Sequence, residues 1–157
     1  MRTGIMLPNL GQSQAAFFAI SYANTLIASK SYSDFSLFIC DTVAPVAKPL
    51  CIVTSIDRIH GFDGLLIATN LYLASLLVNV TTQRKVLYLW DLEWLRDEHQ
   101  GNYLENLKIL QNPELILVAR SESHAAVIEN YCNRKVDAVV PNFNLKTLTD
   151  KYAQVAR

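Results

Sequence analysis

Seven short apolar runs punctuate the chain: Thr3–Leu7, Phe35–Cys40, Leu50–Thr54, Leu65–Ala68, Val86–Trp90, Leu115–Ala119 and Ala138–Val140. Most are continuously apolar rather than alternating, which predicts strands of a parallel sheet covered on both faces. Segments of helical period lie between them. From Ser13 to Lys30, Ala16, Phe17, Ile20, Ala23 and Ile27 share one face, and Ser13 is placed to cap it. Leu71–Val78 is apolar on nearly all sides and reads as a buried helix. Ser121 and Asn133 bracket a helix carrying Ala125, Val127, Ile128 and Tyr131, and Asn144 opens a last one with a Leu145, Leu148, Tyr152 stripe.

Strands alternating with helices predict an α/β fold: a single Rossmann-like domain over residues 1–157, with a mainly parallel sheet and helices on both faces. No repeat, low-complexity tract or Gly/Ser linker divides it. The expected loops are Asp41–Lys48, Ser55–Asp63 and Asp91–Asn102. The stretch from Gly64 to Gln83 carries no charge and is long enough to suggest a membrane span. Thr69-Asn70 interrupts it, so a buried strand followed by a buried helix is the expectation.

Composition agrees with a compact domain. The 157 residues are 51% hydrophobic and 18% charged, and at that size a fold buries about 68–70% of the surface its unfolded chain exposes. Fourteen basic residues balance fourteen acidic ones, which withholds the electrostatic footprint of a nucleic-acid-binding protein. Cys40, Cys51 and Cys132 form an odd set without a CxxC spacing and fit a reducing compartment. Pro8, Asn9, Gly11 and Gln12 break any early signal-peptide core, so a cytoplasmic location is expected and the Asn79-Val80-Thr81 sequon is read as chance.

No zinc motif, P-loop, dinucleotide fingerprint or nucleophile elbow occurs. In doubly wound sheets ligands bind beyond the carboxyl ends of the strands, which singles out the corners that follow them. After the first strand, Pro8–Ser13 is a tight turn whose Asn9 and Gly11 offer backbone N–H groups to a ligand, or simply a capped turn. After the fifth, Trp90-Asp91-Leu92-Glu93-Trp94-Leu95-Arg96-Asp97-Glu98-His99 is the densest chemistry in the chain. Indoles stack on sugar rings and carboxylates bind hydroxyls or take protons; a surface helix with both tryptophans in the core accounts for the same residues. Ser121-Glu122-Ser123-His124 opens a helix, where serine and glutamate are ordinary capping residues.

The stretch Lys85–Arg96 (KVLYLWDLEWLR), with Glu114–His124 (ELILVARSESH) and Val139–Asn142 (VVPN), resembles the N-terminal, acceptor-side half of GT-B glycosyltransferases. In that family one strand ends in an "HD"-like corner, a later strand leads through a serine-containing turn into a helix, and a further one ends in a "PNGVD"-like corner. Trp90 stands where many members have histidine, and Pro141-Asn142-Phe143-Asn144 lacks the glycine. The WDLEWL run is similar to short glycosyltransferase-like proteins of large tailed phages.

The resemblance implies a sugar or glycosylated acceptor bound in a crevice formed by the 8–13, 69–70, 90–96 and 120–122 corners. Asn9, Gly11, Asn70, Trp90, Trp94, Arg96, Ser121 and Glu122 would bind it, and Asp91 or Glu93 would be the general base. It implies no permanently bound cofactor, because the nucleotide-sugar donor belongs to a second domain that would have to come from another chain. Little turnover by the isolated chain follows. So does self-association or a partner, through apolar surface around Trp94, Leu95 and the Leu145/Leu148/Tyr152 stripe. The alternative is a non-catalytic binding or assembly module that retains the domain without the chemistry.

Overall fold

The computed structural model describes residues 1–32, 34–95 and 102–153. All seven apolar runs form strands: β1 (Thr3–Leu7), β2 (Phe35–Ile39), β3 (Ile52–Ser55), β4 (Leu65–Ala68), β5 (Arg84–Leu89), β6 (Leu115–Ala119) and β7 (Ala138–Val139). They make one all-parallel sheet in the order β3-β2-β1-β4-β5-β6-β7. This is the Rossmann-like order, in which β1 and β4 are neighbours and the strand order reverses between them. Gly64 opens β4 at φ +156°, and a Cβ there would lie 2.3 Å from the Arg2 carbonyl oxygen, so no side chain fits.

Successive residues of a strand point to opposite faces, and each face has its own core. Ile5, Leu7, Val86 and Tyr88 face α1 (Gln14–Ala28), Phe143 and the last helix. Met6, Leu66, Leu87 and Leu117 face α2 (Leu71–Leu77), α3 (Tyr103–Leu110) and α4 (Glu122–Cys132). The last helix, α5 (Leu145–Tyr152), packs on α1 with Leu145 and Leu148 fully buried. That stripe is therefore core, a correction to its expected role as an open partner surface.

The side chains of Ser13, Asn70, Ser121 and Asn144 accept hydrogen bonds from N–H groups three residues on, at 2.8–3.1 Å, and start α1, α2, α4 and α5. Asn133 ends α4 in the left-handed conformation. Leu65–Ala68 is strand and Leu71–Leu77 helix, so the uncharged 64–83 stretch is divided as expected. No helix among the described residues is long and apolar enough to cross a membrane.

Two crossovers are unusual. No helix joins β2 to β3, and only a 3-10 turn (Ile56–Gly61) lies between β3 and β4.

Candidate functional site

At the carboxyl ends of β5, β6 and β7 the corner residues enclose a cavity of about 440 Å³, within the usual range for small-ligand sites. Trp90 follows β5. Its indole packs against Phe18 of α1 at 5.6 Å and Tyr88 at 6.1 Å between ring centroids, and remains partly exposed. Arg120 follows β6, with its guanidinium 5.4 Å from the Trp90 ring centroid and its Nη1 donating to the Trp90 carbonyl at 3.2 Å. A cation held this way gains the attraction of the ring face and a fixed direction.

Ser121 and His124, in the first turn of α4, form the next wall. The Ser121 hydroxyl accepts from the His124 N–H at 3.1 Å and lies 3.0 Å from the Ser123 hydroxyl. His124 Nδ1 is buried without a hydrogen-bond partner. Burial lowers the His124 pKa, Arg120 lowers it further, and Asp91 opposes them both. Its imidazole is thus biased toward the neutral form, which can both donate and accept hydrogen bonds.

Asn142 closes the far side in the left-handed conformation (φ 52°), as does the following Phe143 (φ 53°). Such a pair persists only where the surroundings hold it. Here Tyr88 does so: its buried hydroxyl donates to the Val140 carbonyl at 2.6 Å and accepts from the Phe143 N–H at 2.9 Å. Burial pushes the Tyr88 phenol up to about 12, so it stays protonated at ordinary pH. Gln14 of α1 adds an amide to the lining. Among the described residues eight line the cavity, with one arginine, one histidine and no carboxylate.

No family model, curated protein or solved structure matches this chain. The site therefore has to be read from its own geometry.

The residues singled out in the sequence fall in several places. Trp90 and Ser121 line the cavity. Asp91 is half-buried with Oδ1 accepting from the Leu92 N–H at 2.9 Å, and it reaches the cavity through its electrostatic effect on His124. Glu122 is exposed and is not part of the lining. Asn9 Oδ1 accepts from the Gly11 N–H at 2.9 Å, closing the β1–α1 turn on itself. The same turn is tied to the β2–β3 loop by the Val46 N–H, which donates to the Leu10 carbonyl at 2.7 Å.

Asn70 caps α2, and beside it Glu93 Oε1 accepts from the Leu71 N–H at 3.3 Å. Glu93 lines a separate cavity of about 300 Å³ with Tyr72, Asn102, Glu105 and Asn106. The neighbouring Thr69 hydroxyl donates to the Met6 carbonyl at 2.8 Å, bridging β4 to β1 where the strand order reverses.

Trp94 requires a correction. Only 6% exposed, it stacks on Tyr131 of α4 at 4.4 Å between centroids, because the 3-10 turn Glu93–Leu95 aims it into the α2–α4 side of the core. Arg96 lies outside the described residues. The expected crevice thus narrows to the 90 and 120–124 corners, joined by Asn142 and the start of α1.

A larger cavity, about 650 Å³, lies at the opposite ends of the strands, between Val78–Lys85 and Glu114. Lys85 Nζ is held there by Glu114 at 2.8 Å and by the Val78 carbonyl at 3.0 Å. Ligands of doubly wound sheets bind at the other end.

Arg120 and His124 were not selected as ligand-binding residues from the sequence. Arg120, the first residue beyond β6, lies in the 120–122 corner expected to form the crevice, where Ser121 and Glu122 were the residues named.

Proposed function

We propose that this chain binds a sugar or a sugar-bearing acceptor in the cavity between Trp90, Arg120 and His124, and that glycosyl transfer, where it occurs, uses a separate donor-binding domain. The observation that carries this is the convergence of a partly exposed indole, a guanidinium, an imidazole, two amides and two serine hydroxyls at the carboxyl ends of three adjacent strands. A pyranose presents hydroxyls to such groups and C–H edges to an aromatic wall. Arg120 already lies over the Trp90 ring, so a sugar meets the guanidinium and the exposed part of the indole together. The resemblance to the acceptor-side half of GT-B enzymes supports the same assignment. In transfer, Asp91 would accept the proton of the acceptor hydroxyl as that oxygen bonds to the anomeric carbon and the nucleoside diphosphate departs.

A binding module without chemistry is the second reading, favoured by one observation: among the described residues no carboxylate lines the cavity itself.

Trp90 and Trp94 are the only tryptophans. In a Trp94→Phe background, fluorescence therefore reports on Trp90 alone. Titration with mono- and oligosaccharides should give a saturable change that Arg120→Gln weakens at least tenfold, and a flat response to every sugar overturns the proposal. Radiolabelled nucleotide-sugars, added with and without the products of neighbouring genes, then separate the two readings. Transfer that Asp91→Asn abolishes supports the enzyme; binding without transfer supports the module.

A further inference from the structure

The two edges of the sheet are built differently. The β7 edge has two residues, Ala138 and Val139, and is approached through Arg134, Lys135 and Asp137. Shortness and charge are ordinary ways of keeping an edge from pairing with another chain. The β3 edge has four residues and no charge, and between Thr42 and Ile56 only Lys48 is charged.

β3 is also uncovered on both faces. Ile52 and Val53 point to opposite sides of the sheet, yet Ile52 is 66% and Val53 36% exposed, and Leu50 just before them is 57% exposed. The cause is the chain path. The β2–β3 connection has no helix and the β3–β4 connection only a 3-10 turn, so neither helical layer extends over the third strand. Val43 and Val46 of the same connection are exposed beside it.

We infer that the β3 edge is an interaction surface for a second copy of this chain, joined by antiparallel β3–β3 pairing about a two-fold axis. Antiparallel pairing about a two-fold axis sets one residue of β3 against its own copy, either Val53 against Val53 with Ile52 opposite Thr54, or Thr54 against Thr54 with Val53 opposite Ser55, so each strand offers its open backbone donors and acceptors to an identical partner. A two-fold contact brings a patch against itself, so it must be self-complementary. A neutral apolar strand meets that condition, because no like charges are brought together. The exposed Ile52 and Val53 side chains then gain neighbours from the partner strand on opposite faces of one continuous fourteen-stranded sheet. Growth into a filament by β3–β7 pairing is disfavoured by the short, charge-flanked β7 edge.

Sedimentation equilibrium should report twice 17.7 kDa for the chain. Ile52→Lys and Val53→Lys, each at an exposed position, should return it to 17.7 kDa with the circular dichroism spectrum unchanged, while Leu104→Lys, on the exposed face of α3, should leave the dimer intact. A monomer at high micromolar concentration overturns the inference. So does a dimer that survives both β3 substitutions.

Discussion

Tyr88 on β5 donates its hydroxyl to the Val140 carbonyl at 2.6 Å, holding the corner after β7 across the intervening β6. The same oxygen accepts from the Phe143 N–H, so one phenol satisfies two backbone groups of a corner with consecutive left-handed residues. Tyr88→Phe removes one oxygen and leaves both groups buried without that partner. It should lower unfolding free energy by about 1–3 kcal/mol in urea denaturation, the cost of an unsatisfied buried polar group. A loss under about 0.5 kcal/mol would show that the corner holds itself. Because Asn142 lines the cavity, the variant should also weaken any ligand bound there.

His124 gives the site a pH dependence. Its folded pKa is lowered, chiefly by burial, while in the unfolded chain it titrates near its ordinary value of about 6.5. As pH falls, the unfolded chain takes up this proton first, so stability rises with pH across the window between the two values. The contribution is complete above about pH 6.5 and is lost as pH falls through the folded value. The drop in thermal midpoint from pH 8 to pH 5 should therefore be smaller in His124→Gln than in the native chain. An equal drop in both would place His124 in a solvent-like environment.

The two tryptophans should respond differently to truncation. Trp94 is enclosed by the core and stacked on Tyr131, whereas Trp90 keeps an open side to the cavity. Trp94→Ala should cost about 3–5 kcal/mol, as large aromatic truncations in cores do, and Trp90→Ala clearly less. Urea unfolding of the two variants checks the order, and a reversed order would exchange their roles.

Strands were the most legible part of the chain because a buried parallel strand needs little beyond a short apolar run. Thr3–Leu7, Leu65–Ala68 and Leu115–Ala119 have the expected ends. Apolar letters could not reveal that β3 is bare, since its exposure follows from missing helices in its connections. Helix α3 was not read from the sequence because its pattern is inverted: Leu104 is 71% exposed while Asn106 is buried, and Asn102 makes no side-chain cap bond. The self-closed turn at Asn9 and the capping by Asn70 show another ambiguity. Polar residues at strand ends can hold a ligand or the backbone, and spacing does not distinguish them.

Asp91 and Glu93 read as equivalent candidates for a general base, being two residues apart after the same strand. The structure gives them different neighbourhoods. Asp91 adjoins Trp90 and acts electrostatically on His124, while Glu93 supports the first turn of α2 through the Leu71 N–H and lines the separate cavity with Asn106. A side-chain oxygen accepting a first-turn N–H contributes about 0.5–2 kcal/mol, and glutamine retains such an oxygen without the charge. Glu93→Ala should therefore lower stability by about that amount, Glu93→Gln by less, and neither should alter sugar affinity reported by Trp90. In an assay where transfer is observed, Glu93→Gln should keep most of the turnover and Asp91→Asn little of it. A glutamine at 93 that abolishes transfer while leaving stability and binding intact would assign the base to Glu93 instead.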